Sequence, residues 1–249
     1  MSDRRLRKFF LGLGVFLGAG LFPLPAFAMH ITEGILPAPW AALWAAVVAP
    51  FVVLGLLRVR EKKAENPGYM PLLGIAGAAV FVFSTFPIPV PIAGTSSHPA
   101  GTGLSTVLLG PFPSILVAGA ALLIQALFLA HGGLTTLGAN LLSMGVVGSL
   151  AAWAAFRGAR RAGTSLFWAC FLAGLSADFF TYLTTSIELG LALHGDAPAL
   201  RVIGEIFIAF MPTQIPLAFL EGALTGGIVV HIHKHRPGLL RALGVVAAR

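Results

Sequence analysis

The sequence predicts an all-α membrane protein, a bundle of seven transmembrane helices that includes one short span. Hydrophobic residues make up 57% of the chain and charged residues only 10%, whereas soluble domains have about 25% charged residues. Several apolar runs reach the ~20 residues that a spanning helix needs. No barrel-type alternation is visible, and only helices or closed barrels satisfy their backbone in lipid. We therefore expect a multi-pass protein of the cell (inner) membrane, without a nucleic-acid partner.

The first 28 residues have the features of a cleavable signal peptide. Four basic residues precede the apolar run FFLGLGVFLGAGLF, and the small residues of AFA stand directly before Met29. Cleavage after Ala28 makes Met29 the N-terminus, outside the cytoplasm, and leaves residues 29–249 as a single transmembrane domain. The alternative is an uncleaved signal anchor, in which Met29 has no free amine.

The remaining chain carries seven apolar segments, at approximately 39–57, 70–89, 100–110, 112–130, 134–156, 165–190 and 203–231. The third is too short for a regular span, and the basic residues indicate whether it crosses. All three basic regions become cytoplasmic only if seven segments cross the membrane: the loops RVREKK and RGARR and the C-terminal tail. This predicts an outside N-terminus and a cytoplasmic C-terminus.

Two further features concern how the helices pack. The stretch PIPVPIAGTSSHPAGTG, residues 87–103, is too rich in proline and glycine for a regular helix. Non-helical backbone at membrane depth is tolerated where protein buries it or a cavity is lined by it, so we expect this loop to fold inward as part of a site. Small residues at Ala41, Ala45 and Ala49 indicate close helix packing, either within the chain or with another membrane subunit.

The new N-terminus, Met29-His30, has the donors for a metal chelate. Its amine, the amide nitrogen of His30 and Nδ1 of the His30 imidazole supply three nitrogens, held nearly in one plane by the flat peptide group. His98 lies in the inward-folding loop on the same side of the membrane and is the candidate for the fourth, unless it is an ordinary loop histidine. The predicted metal site is therefore Met29, His30 and His98. A planar nitrogen-rich site suits Cu(II) or Ni(II), and low-spin Co(II) is a further candidate.

Other polar residues are weaker candidates. His131 falls near the same membrane face. It lines an entry path, supports the ligands, or caps a helix at a Gly-Gly turn, and the last interpretation is favoured. Asn140 and Ser143, one turn apart, are placed to orient the metal loop by hydrogen bonds. His194 is expected in a solvated outer loop, and His231, His233 and His235 in a cytoplasmic flank. Polar residues within apolar segments are functional candidates by default: Gln125, Asn140, Asp178, Glu205, Gln214 and Glu221.

Three stretches, MHITEGILP, AGTSSHPAGTGLS and LAHGGLTTLGANLLSMG, resemble the CbiM/NikM family. These proteins are the metal-binding membrane (S) components of energy-coupling-factor transporters for cobalt and nickel. The resemblance covers nearly all of residues 29–249 and is stronger to the cobalt branch. It implies a seven-helix transport domain whose metal ligands are Met29, His30 and His98, and Co2+ as transported substrate. It also implies partners: a transmembrane coupling protein, cytoplasmic ATPase subunits and a small auxiliary membrane protein.

The favoured function is thus the capture of Co2+ for an ATP-driven importer that supplies cobalamin biosynthesis. The sequence contains no G-x-x-x-x-G-K-[ST] motif, so ATP hydrolysis is expected in a separate subunit. The same role for Ni2+ is the first alternative, because a planar four-nitrogen site should bind Ni(II) at least as well as Co(II). A membrane metal-dependent enzyme is a weaker alternative, since the sequence lacks an H-E-x-x-H signature.

Overall fold

The computed structural model of the protein describes residues 30–66, 68–85, 88–90 and 95–246. The predicted signal peptide, residues 1–28, and the predicted ligand Met29 lie outside the described residues. The cleavage and the metal-binding amine therefore stay predictions, whereas His30 and His98 are both described.

In the described part of the chain, the regular secondary structure is helical apart from one small hairpin, which confirms the predicted all-helical class. The helices are α1 Ala38–Glu65, α2 Tyr69–Ser84, α3 Thr102–Leu109, α4 Pro111–Phe128, α5 Leu137–Arg161, α6 Leu166–Leu193, α7 Ala199–His235 and α8 Pro237–Ala242. Within α5, Leu141–Val147 forms a π-helical stretch. The first seven helices coincide with the seven predicted apolar segments.

Five of these helices, namely α1, α4, α5, α6 and α7, are long and apolar enough to cross a membrane. The multi-pass prediction is thereby confirmed. Helix α2 has 16 residues and is shorter. Helix α3 has only eight residues, and all eight are buried, so the segment predicted to be short is an internal helix surrounded by the rest of the bundle.

The hairpin lies in the Pro/Gly-rich loop before α3. Strand β1, Ile88–Val90, pairs antiparallel with β2, Thr95–Ser97. After β2 the chain turns inward, where His98 and Ala100 are each only 1% exposed. The expectation that this loop folds into the protein is confirmed, and its buried end carries His98 directly to the start of α3.

Helix α3 is held in place by close contacts between glycines. A Cβ atom added to Gly103 would lie 2.6 Å from the Cα atom of Gly174 in α6. A Cβ atom on Gly174 would in turn lie 2.7 Å from the carbonyl oxygen of Glu221 in α7. No larger residue fits at either position without displacing a backbone, and helices α3, α6 and α7 therefore form one closely packed group beneath the His98 loop.

The row of small residues on α1 is used partly within the chain. A Cβ atom on Gly138 of α5 would lie 2.6 Å from the Cα atom of Ala45, so the two helices approach each other there. Ala41 packs beside Ile31, Leu36 and Ala139. Ala49 is exposed. Intramolecular packing thus accounts for part of this row, and Ala45 and Ala49, which are both exposed, stay available to another subunit.

Candidate metal centre

Three histidines from three separate loops meet at one end of the bundle. One ring nitrogen of each of His30, His98 and His131 lies within 4.8 Å of the others. The ring centroids are 4.7 Å apart for His30 and His98, 4.8 Å for His30 and His131, and 5.3 Å for His98 and His131. The predicted pair, His30 and His98, is brought together as expected. The ring of His131 joins them. Its backbone N–H also bonds to the carbonyl of Gln125 in the last turn of α4, so the residue caps that helix, as favoured from the sequence, and lies beside the other two rings as well.

The loop between α4 and α5 makes room for the N-terminal segment. Ala130 and Gly132 both have positive φ, at 48° and 79°, which glycine adopts without strain and alanine rarely does. A Cβ atom on Gly132 would come within 3.2 Å of the Cβ atom of His30. The backbone N–H of His131 donates to the carbonyl of Gln125 at 3.2 Å. The sharp turn thus lays His131 against His30.

Asn140 fixes the residue that follows His30. Its Oδ1 accepts from the backbone N–H of Ile31 at 2.8 Å, and its Nδ2 donates to the carbonyl of Ile31 at 3.1 Å. The hydroxyl of Thr136 donates to the same carbonyl. The predicted role of Asn140 in orienting the metal loop agrees with these contacts. The prediction for Ser143 was wrong, because its hydroxyl donates to carbonyls of its own helix.

A chain of hydrogen bonds sets the tautomer of His30. The hydroxyl of Ser84 donates to the carbonyl of Val80 at 2.7 Å, so its oxygen accepts from Nε2 of Gln125 at 2.6 Å. The amide of Gln125 is then oriented with Oε1 toward His30, 3.1 Å from its Nε2. Since an amide oxygen only accepts, Nε2 of His30 carries the proton. The free electron pair is on Nδ1, the atom that a chelate with the amide nitrogen of His30 requires.

His98 has the opposite tautomer. Its Nδ1 lies 3.0 Å from the carbonyl oxygen of Pro99 and therefore donates to it. Its Nε2 is buried and has no hydrogen-bond partner among the described residues. Buried polar atoms are nearly always paired in native structures, and an unpaired imidazole nitrogen of this kind is suited to bind a metal ion. The hydroxyl of Tyr182 donates to the carbonyl of His98 at 3.2 Å and steadies the loop.

Glu221 anchors the chain just beyond His98. Its carboxylate accepts from the backbone N–H groups of Ala100 at 2.6 Å, Gly101 at 3.0 Å and Gly103 at 3.4 Å. A carboxylate at a helix N-terminus satisfies N–H groups that have no partner within the helix and interacts favourably with the helix dipole. The start of α3, and with it the position of His98, is therefore tied to α7.

The environment keeps the three imidazoles neutral. Burial lowers the pKa of His98 to about 3, with a further contribution from the nearby His131. Burial also lowers the pKa of His30 well below its ordinary value, and His98 and His131 add to this effect. Burial lowers the pKa of His131 in the same direction. All three rings therefore hold their electron pairs ready for a metal ion at neutral pH.

The remaining predicted residues are not members of the three-histidine cluster. Glu205 is exposed and pairs with Arg201 at 2.8 Å, so its interpretation as an intramembrane site residue was wrong. His194 is half-buried, and its Nδ1 lies 3.1 Å from the carbonyl oxygen of Ala197. Asp178 is buried, and neither of its oxygens has a hydrogen-bond partner among the described residues. Gln214 is also buried.

Several buried polar residues were not singled out from the sequence, among them Ser84 and Glu188. Ser84 completes the hydrogen-bond chain to His30, but its place at the end of an apolar helix gave no signal of that role. Glu188 is buried, with both oxygens unpaired among the residues described. An acidic residue within the apolar run TTSIELGLAL was a signal for it, since acids in such segments are functional candidates.

Comparison with known proteins identifies a family and several relatives to which this chain is similar. The family model described as "Cobalt uptake substrate-specific transmembrane region" (CbiM) matches residues 30–239. The chain is 55% identical to a cobalt transport protein CbiM of Geobacter sulfurreducens over 93% of this chain and 67% of that protein. It is 48% identical to a cobalt transport protein CbiM of Sorangium cellulosum, covering 88% and 97% of the two chains.

A solved structure has the same fold. The crystal structure of a truncated transition metal transporter superposes with a TM-score of 0.73 and is 26% identical in sequence. The match covers 83% of this chain and 99% of that one.

Proposed function

The chain belongs to the CbiM family of cobalt-uptake transmembrane proteins, and on that premise we propose that it captures Co2+ for an ATP-driven importer of the energy-coupling-factor type. Its relatives are named as transport proteins, and it is accordingly a transport component, so the alternative of a membrane enzyme is dropped. The proposed importer supplies cobalt for cobalamin biosynthesis.

The observation that carries this proposal is the buried pair His30 and His98, whose hydrogen bonds leave one free electron pair on each ring. Nδ1 of His30 stands next to its own amide nitrogen in the chain, so metal, amide and imidazole close one chelate ring. Cleavage of residues 1–28 adds the amine of Met29, and Nε2 of His98 adds the fourth nitrogen. The metal ion is the transported substrate.

We assign cobalt rather than nickel from the family and its relatives. Planar nitrogen coordination by itself accommodates Ni(II) as well, and nickel remains the alternative substrate. A zinc substrate is disfavoured because Zn2+ prefers a tetrahedral set of ligands.

The proposed topology has seven crossings, with α3 as the short one. Gly55 lies 17 residues after the start of α1, about 25 Å along the helix. A Cβ atom there would lie 2.9 Å from the carbonyl oxygen of Phe112, next to the turn that joins α3 and α4. That depth approaches the ~30 Å thickness of the hydrocarbon core. The extended residues before α3 and α3 itself together cover this distance. In the proposed topology the N-terminus is outside and the C-terminus is inside.

The proposed partners are a transmembrane coupling protein, cytoplasmic ATPase subunits and a small auxiliary membrane protein. A protein that only captures the ion cannot move it uphill, so the energy has to come from such subunits. Co-expression with the ATPase and coupling subunits, followed by affinity purification through this chain, tests the assembly. Recovery of this chain alone would argue against it.

Native mass spectrometry of the purified protein tests the site directly. We expect a mass that begins at Met29 and includes one Co ion, and we expect His30→Ala and His98→Ala to lose that ion. His194→Ala, which changes a histidine outside the cluster, is the matched control and should keep the ion. A bound ion on a protein that still carries residues 1–28 would contradict the amine ligand. An unchanged affinity in His98→Ala would contradict the site.

A further inference from the structure

The metal centre has one imidazole more than the proposed chelate uses. The amine of Met29, the amide and ring of His30, and the ring of His98 make four nitrogens. Nε2 of His131 is buried and, within the described part of the chain, has no hydrogen-bond partner. An unpaired buried polar atom costs about 1–3 kcal/mol, and its ring lies against both other histidines. A role for His131 therefore needs to be found.

The orientation of the His131 ring indicates how it approaches the ion. The ring of His30 takes part in the chelate, so its plane lies close to the plane of coordination. The His131 ring stands at 84° to the His30 ring. An imidazole nitrogen holds its electron pair in the plane of its ring, and the plane of the His131 ring includes directions perpendicular to the chelate. The near-perpendicular arrangement of the two rings is thus compatible with an approach of the fifth nitrogen from above the plane.

His131 is also positioned by the residue that orients His30. Its backbone N–H donates to the carbonyl of Gln125, and the side chain of Gln125 accepts from His30 Nε2. The two rings consequently share one support. This arrangement fixes the backbone of His131 beside the ring of His30.

We propose that His131 is an axial fifth ligand and that it favours Co2+ over Ni2+. This inference rests on the proposed function of the same site. In a planar field of four nitrogens, low-spin Ni(II) has a filled orbital along the perpendicular axis, which repels a further donor. Low-spin Co(II) has a single electron in that orbital and accepts one axial nitrogen. His131 therefore adds a bond to cobalt that it cannot add to nickel. The four nitrogens in the plane do not by themselves discriminate between the two ions.

Electron paramagnetic resonance of the Co(II)-loaded mature protein in detergent tests the axial bond. The unpaired electron of low-spin Co(II) lies along the perpendicular axis, so one axial ¹⁴N splits each cobalt line into three. We expect this triplet in the wild type and in the control His194→Ala. We expect its loss in His131→Ala, and a doublet when ¹⁵N-labelled imidazole is added to that variant.

Titrations with the two metals provide the second readout. His131→Ala should lower the Co2+ affinity by about tenfold, at the low end of the range for losing a partner of a metal site. Its Ni2+ affinity should stay within about twofold, which also shows that the variant is folded. An equal loss for both metals would overturn the selectivity.

The outcomes separate this inference from the proposed function. A wild-type low-spin Co(II) spectrum without nitrogen splitting overturns the axial role of His131 and leaves the planar chelate intact. A protein that binds no Co2+ overturns the proposed function itself. A high-spin Co(II) spectrum overturns the planar chelate and the axial role together.

Discussion

The side chain of Gln125 accepts a hydrogen bond from the ring of His30, with 3.1 Å between Oε1 and Nε2. Because the other end of the amide donates to Ser84, the orientation of Gln125 is set by a residue that never approaches the metal. The proton on His30 is thereby held on the nitrogen that faces away from the chelate. Such supporting contacts orient a metal-binding histidine and raise its basicity.

Replacing Gln125 should weaken metal binding without touching a ligand. Gln125→Leu removes the acceptor, and Nδ1 and Nε2 of His30 then compete for the proton. We expect the Co2+ affinity to fall by about 10- to 100-fold, measured by competition with a coloured chelator at constant pH. Gln125→Glu keeps an acceptor beside Nε2 and should retain most of the affinity. Equal losses in the two variants would mean that packing, not the hydrogen bond, is responsible.

Replacing Asn140 should also weaken metal binding, because Asn140 orients Ile31, the residue that follows His30. Asn140→Ala leaves the backbone N–H of Ile31 without its acceptor, a loss of about 1–3 kcal/mol for a buried group, whereas Thr136 still serves the carbonyl. We expect a lower thermal stability of the metal-free protein and a weaker Co2+ affinity. Ser143→Ala, in the same helix, changes a hydroxyl bonded within that helix and should leave both quantities unchanged. A metal affinity equal to that of the wild type in Asn140→Ala would contradict the clamp.

The anchoring of α3 by Glu221 predicts a local change in hydrogen exchange. Glu221→Gln keeps the shape of the side chain but removes one acceptor oxygen and the charge. The amide hydrogens of Ala100, Gly101 and Gly103 should exchange about 5- to 100-fold faster, as expected for losing a buried charged hydrogen bond. Mass spectrometry of a peptide spanning these residues measures the rate. Glu205→Gln, an exposed residue of the same helix, is the control and should leave the peptide unchanged.

The lowered pKa of His98 predicts that the metal-free protein loses stability in acid. The unfolded chain binds a proton at His98 below its ordinary pKa near 6.5, whereas burial keeps the folded residue neutral down to about pH 3. Stability contributed by the neutral ring is thus fully present above pH 6.5 and falls as the pH drops toward 3. Between pH 7 and 5 one such histidine accounts for about 2 kcal/mol.

Thermal unfolding of the metal-free protein at several pH values measures this loss. His98→Gln cannot be protonated and should show a smaller decrease in stability between pH 7 and 5. His194→Gln is the control with the same chemical change outside the cluster. If the wild type and His98→Gln have the same pH dependence, the buried neutral state of His98 is contradicted.

Most of the helical framework was predictable from the sequence because hydrophobicity is a local property. Runs such as 165–190 and 203–231 had to become helices in lipid, where the backbone pairs with itself. The short α3 was visible as the brief apolar run at 100–110. Its crossing of the membrane rests on the positive-inside rule and stays a prediction. The boundaries were less predictable: α1 continues through the charged residues RVREKKAE to Glu65, since a helix can extend past the membrane when good helix-forming residues follow.

Within the candidate site, His30 and His98 could be paired from the sequence because the predicted membrane topology puts their loops on one side. The position of His131 could not be predicted in this way. It depends on the positive φ of Ala130 and Gly132 and on the contact between Gly132 and His30, which involve residues about 100 positions apart. A Gly-Gly turn after a helix is equally consistent with a helix cap.

The amino-acid sequence alone therefore indicated a membrane-embedded helical protein with two candidate histidine ligands, because apolar length, basic loops and a Met-His pair after a leader-like segment act through local chemistry. The tertiary structure decided which nitrogen of each ring is free and that a third imidazole lies beside the first two. The free nitrogens depend on the hydrogen bonds of His30 with Gln125, of Gln125 with Ser84, and of His98 with the carbonyl of Pro99. A hydrogen bond has a direction and a length that only the folded chain sets.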